Sequence, residues 1–172
     1  MKYRLEHEFP CDRKTLLQEM FRNGIIETLK PRMTTILEAE TLSWEEKNGI
    51  VRRRVRYLPV PKISSVGPKK VEPRWMEWIE ESEVRLDTGA AQYVNVPSTS
   101  RVAELLKNRG TVEFVSLGPD RTRRILSGEL RVEVFLLGSL AERLIFAYAK
   151  EIVDEEARAL SGHLADLARS GS

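Results

Sequence analysis

Apolar residues recur at three- and four-residue steps through the last quarter of the chain. Between residues 139 and 168, Leu140, Leu144, Tyr148 and Ile152 fall on one side, and charged residues fall on the other. This spacing predicts one long amphipathic helix with a buried face. At about 1.5 Å per residue the helix would be about 45 Å long, which suits a helix that crosses a whole sheet.

Alternating polar and apolar residues predict strands over most of the remaining chain. Residues 2–9 alternate with a period of two, so His7 is expected to point inward from a first strand. Two short helices should follow, over residues 12–21 and 25–30. The same patterns predict a hairpin over residues 33–60, strands over residues 74–86, 92–96, 111–117 and 123–135, and a short helix that ends at Gly110.

The register of the hairpin follows from its turn. If residues 47–49 form a three-residue loop, Glu46 pairs with Ile50. Glu40 would then lie opposite Arg56, and charged residues of both signs would share one face of the two strands. This arrangement favours a solvated, ion-paired surface over a nucleic-acid site for the run of four arginines in the second strand.

Arg53 is the exception in that run. It lies in the same row as Val51 and Val55, which face the interior in this register. A guanidinium group that points inward needs an anionic partner. We therefore expect Arg53 to meet either Glu80 or a carboxylate or phosphate group of a ligand.

Residues 59–74 contain several prolines and predict a long loop. Loops of this length are often binding loops, so we expect a mobile lip through which a hydrophobic ligand enters. Lys62, Lys69 and Lys70 lie there among apolar residues, and each basic residue near an anionic membrane contributes about 1 kcal/mol. A transient contact with a membrane surface is one expectation. The alternative is a surface loop whose apolar residues cap the sheet.

The composition limits the class of protein to which the chain can belong. The 172 residues, 41% hydrophobic and 31% charged, suit one globular domain over residues 1–168 with a flexible tail at 169–172. A net charge of +2 gives no general attraction to nucleic acid. Cys11 is the only cysteine, and no motif for a metal or cofactor is present. We expect a cytoplasmic protein without cofactors, either a monomer or a homodimer.

The order of elements and three stretches of sequence resemble the START-like superfamily. The stretches are Tyr-Arg-Leu-Glu-His-Glu-Phe-Pro at residues 3–10, Trp-Ile-Glu-Glu-Ser at 78–82, and Ser-Gly-Glu-Leu-Arg-Val-Glu-Val at 127–134. Within the superfamily the chain is most similar to a bacterial family of unknown function. The resemblance implies an α+β helix-grip fold, in which a curved antiparallel sheet of six to seven strands wraps around a long C-terminal helix, with two short helices after the first strand. It also implies an apolar cavity that holds a lipid or a similar molecule.

Three functions stay open on this basis. The favoured one is a carrier or sensor that binds a hydrophobic small molecule or lipid without catalysis. The alternatives are a cyclase or hydratase-like enzyme that uses Glu80, His7 or Tyr93 as acid and base, and a partner-binding domain with a filled core. A carboxylate buried in the cavity, Glu80 or Glu155, would have a raised pKa. The expected ligand-binding residues are Arg53, His7, Tyr57, Trp78, Glu80, Tyr93, Leu130, Val132, Leu144, Tyr148 and Ile152.

Overall fold

In the computed structural model, seven antiparallel strands form one curved sheet against which a long helix packs. The structure describes residues 1–62, 65–66, 69–70, 72–133 and 138–171, with the backbone alone at 65–66 and 69–70. The elements are β1 (Lys2–Phe9), α1 (Arg13–Met20), α2 (Ile25–Leu29), a 3-10 helix (Lys30–Arg32), β2 (Ile36–Lys47), β3 (Ile50–Pro59), β4 (Ser65–Val66), β5 (Lys69–Lys70), a second 3-10 helix (Pro73–Met76), β6 (Trp78–Arg85), β7 (Ala91–Pro97), α3 (Ser100–Leu105), β8 (Leu106–Gly118), β9 (Arg121–Val132) and α4 (Gly138–Ser170).

The sheet has the strand order β1-β9-β8-β7-β6-β3-β2, and β4 pairs only with β5 among the described strands. The two short helices after β1 and the long terminal helix complete the predicted α+β helix-grip arrangement. Asp12 caps α1 by accepting a hydrogen bond from the backbone N–H of Thr15 at 3.0 Å. Helices α1 and α2 pack against the sheet and bury apolar side chains such as Leu16 and Ile25 in the core.

The β2–β3 hairpin turns over two residues, so the predicted three-residue loop is wrong. Asn48 and Gly49 both have positive φ, 54° and 73°, and Lys47 pairs with Ile50. An Asn-Gly pair supports this tight turn because both residues tolerate the left-handed conformation. Near the turn the register is therefore one residue away from the prediction.

A β-bulge in β2 restores the predicted register farther along the hairpin. The pairing shifts by one residue between Thr41 and Ser43, and Glu40 then lies opposite Arg56 as predicted. On the turn side of the bulge, Trp44 rather than Ser43 lies opposite Arg53. Trp44 is thereby half-buried on the inner face, and its indole N–H donates to the carbonyl oxygen of Phe21 at 2.8 Å.

Helix α4 contains the predicted helix and extends slightly beyond it at both ends. Its second half packs into the core through residues such as Ala157 and Leu160. Its first half packs less closely, and Leu140 and Leu144 are 54% and 55% exposed, which corrects their expected burial. Side chains of this half stay exposed because it borders a cavity and the mouth of that cavity. Leu144, for example, lies on the cavity wall.

The region around Gly110 is also different from the prediction. Helix α3 ends at Leu105, and β8 begins at once, so Gly110 lies inside a strand opposite Gly128 and Tyr93. The final strand was expected to continue to residue 135, but residues 134 and 135 lie outside the described part. Within the described residues, no helix is both long enough and apolar enough to cross a membrane.

Candidate ligand-binding cavity

A cavity of about 330 Å³ lies between the inner face of the sheet and the first half of α4. This volume is in the range of small-molecule sites. The strands contribute every second side chain to it, because their period of two sends alternate residues to the inner face. Most of the wall is apolar or aromatic: Leu5, Phe21, Met33, Ala91, Val112, Leu126, Leu130, Ile145, Phe146, Ile152 and Val153.

The outer face of the sheet carries a second, broad depression of about 940 Å³, but its character is different. Charged side chains line it and neutralise one another: Arg52 contacts Glu83 at 2.6 Å, and Arg54 contacts Glu81 at 3.0 Å. The alternation predicted solvated pairs with β2, and Arg56 makes one with Glu40 at 2.9 Å, whereas Arg52 and Arg54 pair with β6 instead. The apolar cavity against α4 is therefore the better candidate for a binding site.

The structure brings most of the expected ligand-binding residues to one place. Those that line the cavity are Arg53, Tyr57, Trp78, Glu80, Tyr93, Leu130, Leu144, Tyr148 and Ile152. Tyr57 and Trp78 stack with 5.2 Å between ring centroids, and they form one aromatic wall. The binding role of these residues stays a prediction.

His7 and Val132 lie outside the cavity wall. His7 points inward, but its ring faces α4, where Nε2 lies 2.9 Å from Asp154 Oδ1 and Nδ1 lies 3.4 Å from Arg124 Nη2. Burial lowers the pKa of His7, and the Asp154 hydrogen bond only partly opposes this effect. Val132 ends β9, and its N–H donates to Glu142 Oε1 at 3.0 Å. Both residues are therefore engaged between β-strands and α4.

Arg53 points inward as predicted, and Glu80 is its partner. Arg53 is 6% exposed, and its Nη2 lies 3.2 Å from Glu80 Oε1. Its Nε donates to Ser82 Oγ at 3.1 Å, and its Nη1 donates to the carbonyl oxygen of Met20 at 3.0 Å. Burial would lower the pKa of Arg53, but the nearby Glu80, Tyr57 and Glu156 together outweigh this effect, so the pKa is raised and the side chain stays charged.

A second buried ion pair, which the sequence analysis missed, lies beside the first. Arg124 is 1% exposed, and its Nη1 donates to Glu156 Oε2 at 2.7 Å. A sequence signal for it exists, because Arg124 is in the same inward row of β9 as Leu126 and Leu130. Glu156 follows Ile152 by one helical turn, on the cavity side of α4.

Two tyrosines form a hydrogen-bonded chain on the inner face of the sheet. The hydroxyl of Tyr3 donates to Asn108 Oδ1 at 2.6 Å, so Tyr93 must donate to Tyr3 across their 2.6 Å contact. Burial and the bond to Tyr3 raise the pKa of Tyr93, and burial with the nearby charge of Glu80 raises that of Tyr57. Both phenols are therefore neutral, which disfavours Tyr93 as a base.

Glu155 has a different role from the one expected, because it lies against the segment before β2 and not in the cavity. Its two carboxylate oxygens accept hydrogen bonds from the backbone N–H and the hydroxyl of both Thr34 and Thr35. Burial alone would raise the pKa of Glu155, but these four donors outweigh it and lower the pKa to about 2. The expected raised pKa is thus wrong for this residue. Across the described ranges, no group of three His, Cys, Asp or Glu residues converges on a metal-sized space.

Comparison with solved structures identifies the fold. The chain is similar to the ZhuI aromatase/cyclase from Streptomyces sp. R1128, with 14% identity, a TM-score of 0.67, and coverage of 100% of this chain and 99% of that one. Norcoclaurine synthase from Thalictrum flavum matches with 14% identity and a TM-score of 0.68 over 96% of this chain and 86% of that one. A START superfamily protein from Mycobacterium smegmatis matches with 15% identity and a TM-score of 0.55 over 96% and 98% of the two chains.

The similarity to these structures lies in the fold and not in a shared sequence motif. No protein-family model and no curated protein matches the chain. The narrower likeness to a bacterial family of unknown function therefore stays a prediction. The agreement over almost the whole length, together with the seven-stranded sheet and the terminal helix, shows that the chain has the helix-grip fold of START-like proteins.

Proposed function

We propose that the protein binds a hydrophobic small molecule or lipid in the cavity and serves as a carrier or sensor without catalysing a reaction. The observation that carries this proposal is the cavity of about 330 Å³, which has apolar walls and a few polar groups at one end. This is the usual composition of small-molecule sites, in which apolar area supplies affinity and polar groups fix orientation.

A cyclase or hydratase-like enzyme is the alternative, and one observation favours it. Glu80 lines the cavity, and its Oε2 accepts no hydrogen bond from the described residues. A carboxylate in this position could take a proton from a bound substrate. Turnover that is lost in a Glu80→Gln variant, with binding kept, would favour the enzyme over the carrier.

The cavity assignment can be tested by filling the cavity from α4. Ala149 lines the cavity, whereas Ala147 is exposed two residues earlier on the same helix. Ala149→Phe should reduce ligand occupancy at least tenfold, because overfilling a packed site costs about 1–3 kcal/mol and about 1.4 kcal/mol corresponds to a factor of ten. Ala147→Phe is the matched control and should bind normally.

Occupancy would be measured by native mass spectrometry after each protein is incubated with a total lipid extract. Circular dichroism melting would confirm that both variants fold. Wild-type protein that retains no molecule from the extract, or equal occupancy in the two variants, would contradict the proposal.

Transient membrane contact is a second part of the proposal, and the exposed apolar residues at the cavity mouth support it. Trp75 and Leu144 border the cavity and are 40% and 55% exposed. Lys62, expected to face lipid, instead pairs with Glu151, and its Nζ lies 5.2 Å from the Tyr148 ring centroid. The side chains of Lys69 and Lys70 are outside the described part, so the apolar rim carries this proposal.

We expect the double variant Trp75→Ala, Leu144→Ala to bind anionic vesicles about tenfold more weakly than wild type. Full burial of one such apolar side chain contributes about 1.5–3 kcal/mol. Partial insertion of both side chains into the membrane would contribute a similar total to the free energy of binding. The control is Leu42→Ala, Val115→Ala, which removes residues that are 42% and 40% exposed elsewhere on the surface. Co-sedimentation with anionic and neutral vesicles measures the effect. Equal losses in both double variants would exclude the mouth as the contact site.

A further inference from the structure

The polar end of the cavity consists of two ion pairs arranged around Met20. The carbonyl oxygen of Met20 accepts from Arg53 Nη1 at 3.0 Å, and its sulfur lies 3.9 Å from Arg124 Nη1. Glu80 pairs with the first guanidinium group and Glu156 with the second. The four charged groups therefore sum to zero, and this end of the cavity has no excess positive charge for an anion.

The two members of each pair are unequally accessible. The guanidinium side chains are 6% and 1% exposed, whereas the carboxylate side chains of Glu80 and Glu156 are 24% and 22% exposed. Each nitrogen of Arg53 already has a protein acceptor. Arg124 Nε has no hydrogen-bond partner in the described part of the chain, but it is buried and presents no surface to a ligand.

Among the four charged groups at this end of the cavity, the accessible atoms without a hydrogen bond are therefore acceptors. Glu80 Oε2 and Glu156 Oε1 accept no hydrogen bond from the described residues. Lys150, the other cation on the wall, is held by Asp154 Oδ2 at 2.5 Å. A ligand carboxylate would have to lie beside two carboxylate oxygens that have no donor to share with it, whereas a ligand donor would gain a charge-assisted hydrogen bond.

Resting on the proposed binding function, we infer that the ligand carries a hydrogen-bond donor, a hydroxyl or an ammonium group, on an apolar body, and that carboxylates and phosphates are rejected. This assigns Glu80 and Glu156 as the residues that select the head group. Arg53 and Arg124 have a positioning role, because they hold the two carboxylates at the end of the cavity.

Four probes with the same rings and different head groups test the inference: 2-naphthol, 2-naphthylmethylamine, 2-methoxynaphthalene and 2-naphthoate. Isothermal titration at neutral pH should show that naphthol, the amine or both bind at least tenfold more tightly than the methoxy compound, with naphthoate the weakest. A tenfold preference corresponds to about 1.4 kcal/mol, which is modest for a hydrogen bond to a charged acceptor. The naphthol and amine results distinguish a hydroxyl from a cationic head group.

Variants then show which residues select the head group of the ligand. Glu80→Gln and Glu156→Gln should each reduce the preference for the donor probe over naphthoate about tenfold, and Glu83→Gln, on the outer face of the same strand as Glu80, should leave it unchanged. Two independent carboxylate variants keep the test valid if one of them fails to fold. Circular dichroism melting identifies that case.

The outcomes separate this inference from the proposed function. Naphthoate binding as tight as naphthol binding, with both blocked by Ala149→Phe, overturns the inference and leaves the cavity function intact. Binding that Ala149→Phe does not reduce overturns the cavity function itself. Failure of wild type to bind any of the four probes overturns the inference.

Discussion

Replacement of Gly110 by alanine should destabilise the protein by about 3 kcal/mol, the upper part of the usual range for overpacking. A Cβ atom at this position would lie 2.2 Å from the backbone carbonyl oxygen of Ser127 and 2.5 Å from the hydroxyl oxygen of Tyr93. The first contact is with the backbone of a paired strand, so relief requires the β8–β9 ladder to move. The loss should appear as a lower urea midpoint with an unchanged m-value.

Gly118→Ala is the matched control for this prediction. Gly118 ends the same strand, and a Cβ there would lie 4.0 Å from the nearest side-chain atom, Asp120 Oδ1. Its effect should stay within about 0.5 kcal/mol, as for ordinary surface substitutions. If Gly110→Ala and Gly118→Ala unfold at the same urea concentration, the close packing of Tyr93 against β8 is wrong.

Much of the inner face of the sheet could be predicted because the side-chain period of a strand is two. That rule placed Arg53 inward, and Glu80, one of the two kinds of partner expected for it, is the one it contacts. The same rule, applied to β9, places Arg124 inward beside Leu126. The inward position of Arg124 was therefore predictable from the sequence, but its pairing with Glu156 depends on how α4 packs against β9.

The β2–β3 hairpin departs from the predicted register in two places, and the two departures cancel. The two-residue turn at Asn48 and Gly49 moves the register by one residue, and the bulge next to Leu42 moves it back. The Asn-Gly pair is a local signal for the two-residue turn, but no local signal indicates the bulge that compensates for it. Glu40 lies opposite Arg56 with either turn, so the agreement of this pair with the prediction does not test the length of the turn.

Other features depend on contacts between distant parts of the chain, and local patterns cannot supply them. Gly110 resembles a helix stop in sequence, yet the structure requires it because Tyr93 crosses its strand. Leu144 fits the apolar stripe of α4, yet it borders a cavity and stays exposed. Likewise, the donors that determine the pKa of Glu155 come from residues far away in the chain, Thr34 and Thr35.

The four donors around Glu155 lead to the second large stability prediction. Glu155→Gln should destabilise the protein by about 2–3 kcal/mol, because the amide N–H₂ would face a backbone N–H and leave a buried donor without an acceptor. Glu151→Gln is the control on the same helix: Glu151 is 47% exposed and pairs with Lys62 at the surface, so its loss should cost less than about 1 kcal/mol. Urea unfolding at neutral pH measures both.

The same substitution should change the pH dependence of stability in a defined direction. The pKa of Glu155 is about 2 in the folded protein, below its ordinary value of 4.5, so its ionised form stabilises the fold. That contribution is complete above about pH 5 and is lost as the pH falls toward the folded pKa. The difference in unfolding free energy between wild type and Glu155→Gln should therefore be constant from neutral pH to about pH 5 and shrink steadily below it. A difference that stays constant down to about pH 3 would show that the carboxylate charge does not hold α4 to the segment before β2.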